Sequence, residues 1–253
     1  MIGNGKSGLD SIHVAAPQLE KLQRRLFLKQ SLSLGALVML TGCNDTTPDA
    51  MDSLLWRMSN FNDWVQGALF SPTTLAPTYS ESDITTPFPF NAYYAEAQAP
   101  FVDPASYRLQ LGGMIGKRQS WTLEDLGKLP QTSQITRHIC VEGWSAIGKW
   151  GGVPLRTFLE RVDADLTCKY VGFKCADNYH TSIDMASALH PQTILALTYA
   201  DQVLPTKYGF PMKLRIPTKL GFKNPKHIMA IYVTNSYPGG YWEDQGYNWF
   251  SGS

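Results

Sequence analysis

Beyond Tyr107 the apolar residues of this chain come in short runs broken by glycine, proline and polar clusters, which argues against a bundle of long helices. Residues 107–111 alternate and stop at Gly112-Gly113. Residues 135–141 read as a strand running into a turn at Glu142-Gly143. Further strands are expected over 169–175, 212–216 and 228–233, the last two separated by a 219–226 loop. Short helices are expected over 123–129, opened by Trp121, and over 153–162 and 183–188. Phe, Trp and Tyr make up 12% of 253 residues, with 21 Gly and 16 Pro, which suits a strand-and-turn protein with large aromatic core pieces. No internal repeat is present. The tail, residues 237–253, carries glycines and aromatics without a period and is expected to drape over the domain.

Lys and Arg number 22 against 21 Asp and Glu, so no large single-sign field exists to gather nucleic acid, and nucleic acid is dropped as a partner. The N-terminus reads as an address. Arg24-Arg25-Leu26-Phe27-Leu28-Lys29 precedes an apolar stretch over residues 31–40, the order of an export signal and too short to span a bilayer. The paired arginines resemble the twin-arginine signal, whose machinery exports folded proteins. Leu40-Thr41-Gly42-Cys43 resembles a lipobox, in which the cysteine is acylated; cleavage nearby without lipid is the alternative. The expected location is therefore the periplasm or cell envelope, with export through the twin-arginine machinery.

Residues 44–50 form a polar linker. Residues 51–70 place Leu54, Leu55, Met58, Phe61, Val65 and Leu69 three and four apart, an amphipathic helix expected to pack on the domain. Residues 71–89 are rich in Pro, Ser and Thr. The expected division is an export signal over 1–43, a linker with the helix over 44–87, and a catalytic domain over 88–253.

With Cys43 acylated, three thiols remain in an oxidising compartment: Cys140, Cys168 and Cys175. Cys168 and Cys175 bracket one strand and lie too far apart to bridge. No Cys-x-x-Cys pair, no haem-attachment motif and no zinc spacing among the histidines exists. Cys140 ends a strand and opens a loop, where chemistry collects on rigid scaffolds. Taken alone, Cys140 is equally a buried small hydrophobe.

Arg137-His138-Ile139-Cys140-Val141-Glu142-Gly143-Trp144-Ser145, followed by Trp150 and Gly152-Val153-Pro154-Leu155, resembles the molybdenum-ligand segment of the sulfite oxidase family. Within that family the chain looks most like the bacterial protein-methionine-sulfoxide reductase catalytic subunits. The likeness runs from about Asn91 to Val233 and includes Leu220-Gly221-Phe222-Lys223 and Lys226-His227-Ile228. It implies an α+β fold of mixed sheets with short helices, and a molybdenum held by one molybdopterin and the Cys140 thiolate. A soft thiolate suits such a metal.

Carried over by position, the resemblance implies cofactor contacts at Asn91, Tyr94, Asn224, Pro225 and Lys226. Cys175, Tyr208 and Lys213 stand where those reductases have threonine, asparagine and arginine, and Arg215 is placed to replace the missing guanidinium. Arg137 is a candidate for a substrate oxygen, or else a structural ion pair. His138 and His180 are weaker candidates for proton supply. The implied activity is oxygen-atom transfer, reducing a small-molecule or protein-bound oxide such as a sulfoxide; sulfite-type oxidation and a non-catalytic ligand-binding lipoprotein are the alternatives. Cys140 acting with His138 as a hydrolytic nucleophile lacks an orienting acid. With no haem or iron–sulfur motif in the chain, electrons are expected from a haem membrane subunit or a cytochrome. No room remains for the family's dimer domain, so a monomer is expected.

Overall fold

The computed structural model describes residues 48–253, and Trp56–Ser253 form one compact unit. The twin-arginine run, the apolar stretch and Cys43 lie outside the described residues. The first described element is helix α1 (Pro48–Leu69). An irregular strap follows, tied to the body where Tyr79 N donates to Ile135 O at 3.1 Å and Thr85 N to Ile147 O at 3.0 Å.

Two sheets and three short α-helices make up the body. Strands β1 (Gln110–Gly113), β4 (Tyr170–Cys175), β5 (His180–Asp184) and β9 (Ile228–Thr234) form a mixed sheet in the order β1-β9-β4-β5, with β1 parallel to β9 and the other pairs antiparallel. Strands β2 (Thr132–Ile139), β3 (Ser145–Pro154), β6 (Ile194–Tyr199), β7 (Gln202–Val203) and β8 (Lys213–Arg215) form an antiparallel sheet, with β8 beside β6.

Local chemistry sets the short helices. Thr122 caps α2 (Leu123–Gly127), its hydroxyl accepting from Asp125 N at 3.0 Å while Asp125 Oδ2 accepts from Thr122 N at 3.1 Å. Helix α3 (Leu155–Arg161) buries Leu155, Phe158 and Leu159, three and four apart, on the main core with Val171, Phe173, Leu214 and Ile231. Asp184 caps α4 (Met185–Ala188) through Ser187 N at 2.7 Å. A second, smaller core behind β2 and β3 is aromatic: Phe88 meets the Trp150 ring edge-on at 5.3 Å and the Tyr208 ring at 5.6 Å.

The expected strands and helices appear, some shifted by a few residues. Tyr107 and Leu109 are buried ahead of β1 rather than within it. Strands β3, β5, β6 and β7 carry no clear sequence signal. In β3, Gly148, Gly151 and Gly152 depress strand propensity, yet Gly152 is required: a Cβ there would lie 1.9 Å from Leu195 O on β6.

Candidate active site

Alternation along β2 sends Thr136, His138 and Cys140 to the buried face and Arg137 to the opposite, exposed one. Cys140 then opens the β2–β3 turn, its carbonyl accepting from Gly143 N at 3.1 Å and its N–H donating to Trp144 O at 2.9 Å. The turn aims Cys140 into a cavity of about 220 Å³. Cys140, Val141 and Glu142 form one wall, and Asn91 to Tyr94 of the strap form a second. The Asp177–Tyr179 turn, the 221–226 loop, and Trp242 and Tyr247 of the tail complete it.

Hydrogen bonds lock these walls together. Trp144 Nε1 donates to Glu142 Oε2 at 2.9 Å, and the Cys140 thiol lies 3.7 Å from the same oxygen. Tyr94 OH donates to Asp177 Oδ2 at 3.1 Å, Tyr93 OH donates to Asp177 O, and Tyr179 OH donates to Phe222 O at 2.7 Å. Tyr93 stacks on Tyr241 at 5.0 Å and so joins strap to tail. Burial raises the Cys140 thiol pKa and so favours the protonated form of the free cysteine.

Lys226 supplies the cation of the cavity. Its ammonium, 8% exposed, donates to Asn91 O at 2.6 Å and Lys207 O at 2.9 Å. Neither partner is a carboxylate. Burial pushes its pKa down to about 8, with Asp177 and Glu96 pulling the other way. Behind it, Lys213 is fully buried beneath the site, its Nζ 5.1 Å from the Trp150 ring centroid; burial, then Lys226 and Arg215, hold its pKa well below the usual lysine range. Burial first, then Lys213, Arg215 and Lys226, likewise keep His138 neutral, which removes it as a proton donor near neutral pH. His138 packs so closely on the loop that a Cβ at Gly221 would lie 2.8 Å from its Nε2.

Of the residues expected at the site, Asn91, Tyr94, Cys140, Asn224, Pro225 and Lys226 line the cavity together. Arg137, Cys175, Tyr208, Lys213 and Arg215 do not. Arg137 is on the far face of β2, its guanidinium 5.3 Å from the Tyr79 ring centroid. Cys175 is packed in the main core at the end of β4, and Tyr208 in the aromatic core, where its hydroxyl donates to Phe88 O at 2.8 Å. The short β8 turns Lys213 and Arg215 inward, one layer behind the cavity wall. There Arg215 donates to Asn224 Oδ1 at 3.0 Å, Thr136 Oγ1 at 3.1 Å and Arg137 O at 2.5 Å, so it braces the loop instead of facing a ligand. His180 also lies outside the lining.

Glu142, Tyr93, Asp177, Tyr179, Phe222, Trp242 and Tyr247 line the cavity without having been singled out from sequence. Glu142, two residues after Cys140 in the turn, and Phe222, inside the Leu220-Gly221-Phe222-Lys223 segment, did carry a signal. Among the described residues Cys140, Cys168 and Cys175 are free thiols, and no three His, Cys, Asp or Glu side chains converge on one point. The donor set is therefore a single soft thiol beside a buried ammonium that touches no carboxylate, with Glu142 and Asp177 also on the lining. That pairing fits a metal arriving with its own sulfur ligands on an anionic carrier.

The chain belongs to the family described as "Oxidoreductase molybdopterin binding domain", whose profile matches residues 96–242. It has the sulfite-oxidase-type fold and is a molybdopterin-dependent oxidoreductase, with a molybdenum–molybdopterin cofactor. It is 61% identical over its whole length to an Azospira oryzae protein named "Putative protein-methionine-sulfoxide reductase subunit YedZ1", covering 97% of that protein. It is 30% identical over 66% of its length to the protein-methionine-sulfoxide reductase catalytic subunit MsrP of Ralstonia nicotianae, of which it spans 59%. Among solved structures, the sulfane dehydrogenase SoxCD from Paracoccus pantotrophus matches with a TM-score of 0.51 and 20% identity, over 55% of this chain and 40% of that one, a likeness of fold.

Proposed function

We propose that this chain is an exported reductase of sulfoxide-like oxides, small or protein-bound, with Cys140 as the protein ligand to molybdenum. The observation that carries the reading is the placement of the Cys140 thiol in one cavity with the Lys226 ammonium and an aromatic rim. When bound, the molybdenum–molybdopterin group supplies a two-electron centre that exchanges an oxygen atom with substrate. Cys140 holds the metal. Lys226 and the Asn224–Pro225 loop receive the cofactor's phosphate end, and Asn91 and Tyr94 of the strap close over it.

Phe222, Tyr93, Trp242 and Tyr247 offer ring faces and edges to a thioether or sulfoxide group. Among the described residues no guanidinium lines the cavity, since Arg137 faces away, and this favours a neutral sulfoxide over a sulfite-like anion. Reduction of a sulfoxide consumes two electrons and two protons and yields a thioether and water. The electrons come from a haem membrane subunit or a cytochrome, a reading supported by the relatives' designation as subunits. Residues 1–43 direct export to the periplasm, with Cys43 as a lipid anchor. Residues 44–87 lead from the anchor into the molybdopterin-binding domain at 88–253.

The test is turnover by the full chain expressed with its own signal. With a reduced dye as donor, methionine sulfoxide in peptides or dimethyl sulfoxide is expected to oxidise the dye. Sulfite is expected to give no reduction of an oxidised acceptor. Activity with sulfite alone overturns the direction, and a protein purified without molybdenum overturns the redox reading.

A further inference from the structure

Helix α1 docks the wrong way round for an amphipathic helix. Its polar side meets the body: Asp63 Oδ1 accepts from Phe250 N at 2.7 Å, and Gln66 Oε1 accepts from Gly252 N at 2.9 Å. Phe70, just past the helix, completes the contact, its ring 5.7 Å from Phe250. The apolar side is left in solvent. Trp56, Met58, Phe61, Trp64 and Leu69 are 53% to 80% exposed, and the Phe61 and Trp64 rings stack at 6.1 Å. Large apolar side chains left exposed together along one helix mark an interaction surface.

We infer that this face of α1 lies in the headgroup boundary of a lipid bilayer and holds the domain against the membrane surface. The occupant follows from where the chain outside the described residues ends. Cys43 is five residues before Pro48, at most about 17 Å of extended chain. An acyl chain on Cys43 therefore brings the start of α1 to within about 17 Å of its attachment at the bilayer surface. This proximity rests on the export reading of residues 1–43. The chemistry of the face agrees, since tryptophan favours the interface and no described helix is long and apolar enough to cross a membrane. The helix carries Asp49, Asp52 and Asp63 against Arg57 alone, so burial of apolar side chains drives the contact, not attraction to anionic lipid.

The test separates face from anchor by using the cofactor-loaded full chain with Cys43→Ala, which cannot be acylated. It is expected to co-sediment with phosphatidylcholine vesicles, with a partition coefficient unchanged between low salt and about 0.5 M salt, beyond the reach of surface electrostatics. Adding Trp56→Ser, Phe61→Ser and Trp64→Ser is expected to lower partition by roughly tenfold or more. The melting temperature and dye-coupled activity are expected to stay unchanged, since these side chains touch neither core nor cavity. Vesicles of brominated phosphatidylcholine are expected to quench the Cys43→Ala chain and not the quadruple variant.

Equal partition of the two proteins overturns the inference. So does self-association that covers the face without lipid, or binding confined to vesicles that carry a membrane protein. Mass analysis of the mature N-terminus tests the anchor separately: an unmodified Cys43 beside an intact vesicle response removes the anchor and keeps the face.

Discussion

Lys226 donates its ammonium proton to the carbonyl of Asn91 at 2.6 Å, joining the cofactor loop to the N-terminal strap across the cavity with no carboxylate in contact. The folded chain thus holds a buried cation with no carboxylate in contact, and the cofactor phosphate is the anion proposed to meet it. Lys226→Met is predicted to fold and to lose most cofactor retention, measured as molybdenum per chain after dialysis.

The pH dependence follows with a definite sign. Burial lowers Lys226 from an ordinary lysine value of 10.5 to about 8, so between those values the unfolded chain binds the proton more tightly. Removing the proton relieves the folded state: cofactor-free protein gains stability from this group as pH rises from about 8 to about 10.5. Bound phosphate needs the charged form, so retention of the cofactor is predicted to fall over the same window. Lys219, lowered to about 8 and paired with Asp184 at 3.1 Å, adds to the stability change and leaves retention alone. Denaturant titrations and cofactor release at pH 7 and 9.5, on wild type and Lys226→Met, separate the two.

Arg215 braces the site from behind through Asn224, Thr136 and the Arg137 carbonyl. A lysine cannot span these partners with one ammonium. Arg215→Lys is predicted to cost about 1.5–3 kcal/mol in urea unfolding, the scale of charged hydrogen bonds lost in the interior. It is also predicted to speed cofactor release, because Asn224 Oδ1 also accepts from Ile216 N at 2.9 Å and the loop loosens with it.

Below the cavity Lys223 and Glu243 form a buried pair, with Lys223 also donating to Ser182 O at 2.9 Å and Thr181 Oγ1 donating to Glu243 at 2.5 Å. Glu243→Ala strands the lysine and is predicted to destabilise by about 3–5 kcal/mol, whereas Lys223→Met with Glu243→Leu is predicted to recover much of that loss. Thermal unfolding of the three proteins checks this.

The turn at Cys140 is legible in sequence because an apolar strand runs straight into Glu142-Gly143. The β3 strand is hidden, since Gly151 and Gly152 answer to the approach of Thr198 and Leu195 on β6, and Gly148 to the packed rings of Trp150, Phe88 and Tyr199, not to any local preference. For α1 the period is legible but the docking is not. Which side meets the body depends on the main-chain N–H groups of Phe250 and Gly252, nearly two hundred residues away in sequence, which recruit Asp63 and Gln66. At the site, positional matching picked out residues that line the cavity in the β2–β3 turn, the strap and the 221–226 loop. It misplaced Arg137 because a one-residue step along a strand reverses the face. The aromatic rim drawn from the tail has no period to read.

The most direct test of Cys140 as the molybdenum ligand is X-ray absorption at the molybdenum edge on wild type and Cys140→Ser, each loaded in the cell and matched for folding by thermal melt. The account predicts one sulfur neighbour fewer in the variant, together with loss of dye-coupled reduction. An unchanged sulfur count with activity retained contradicts it.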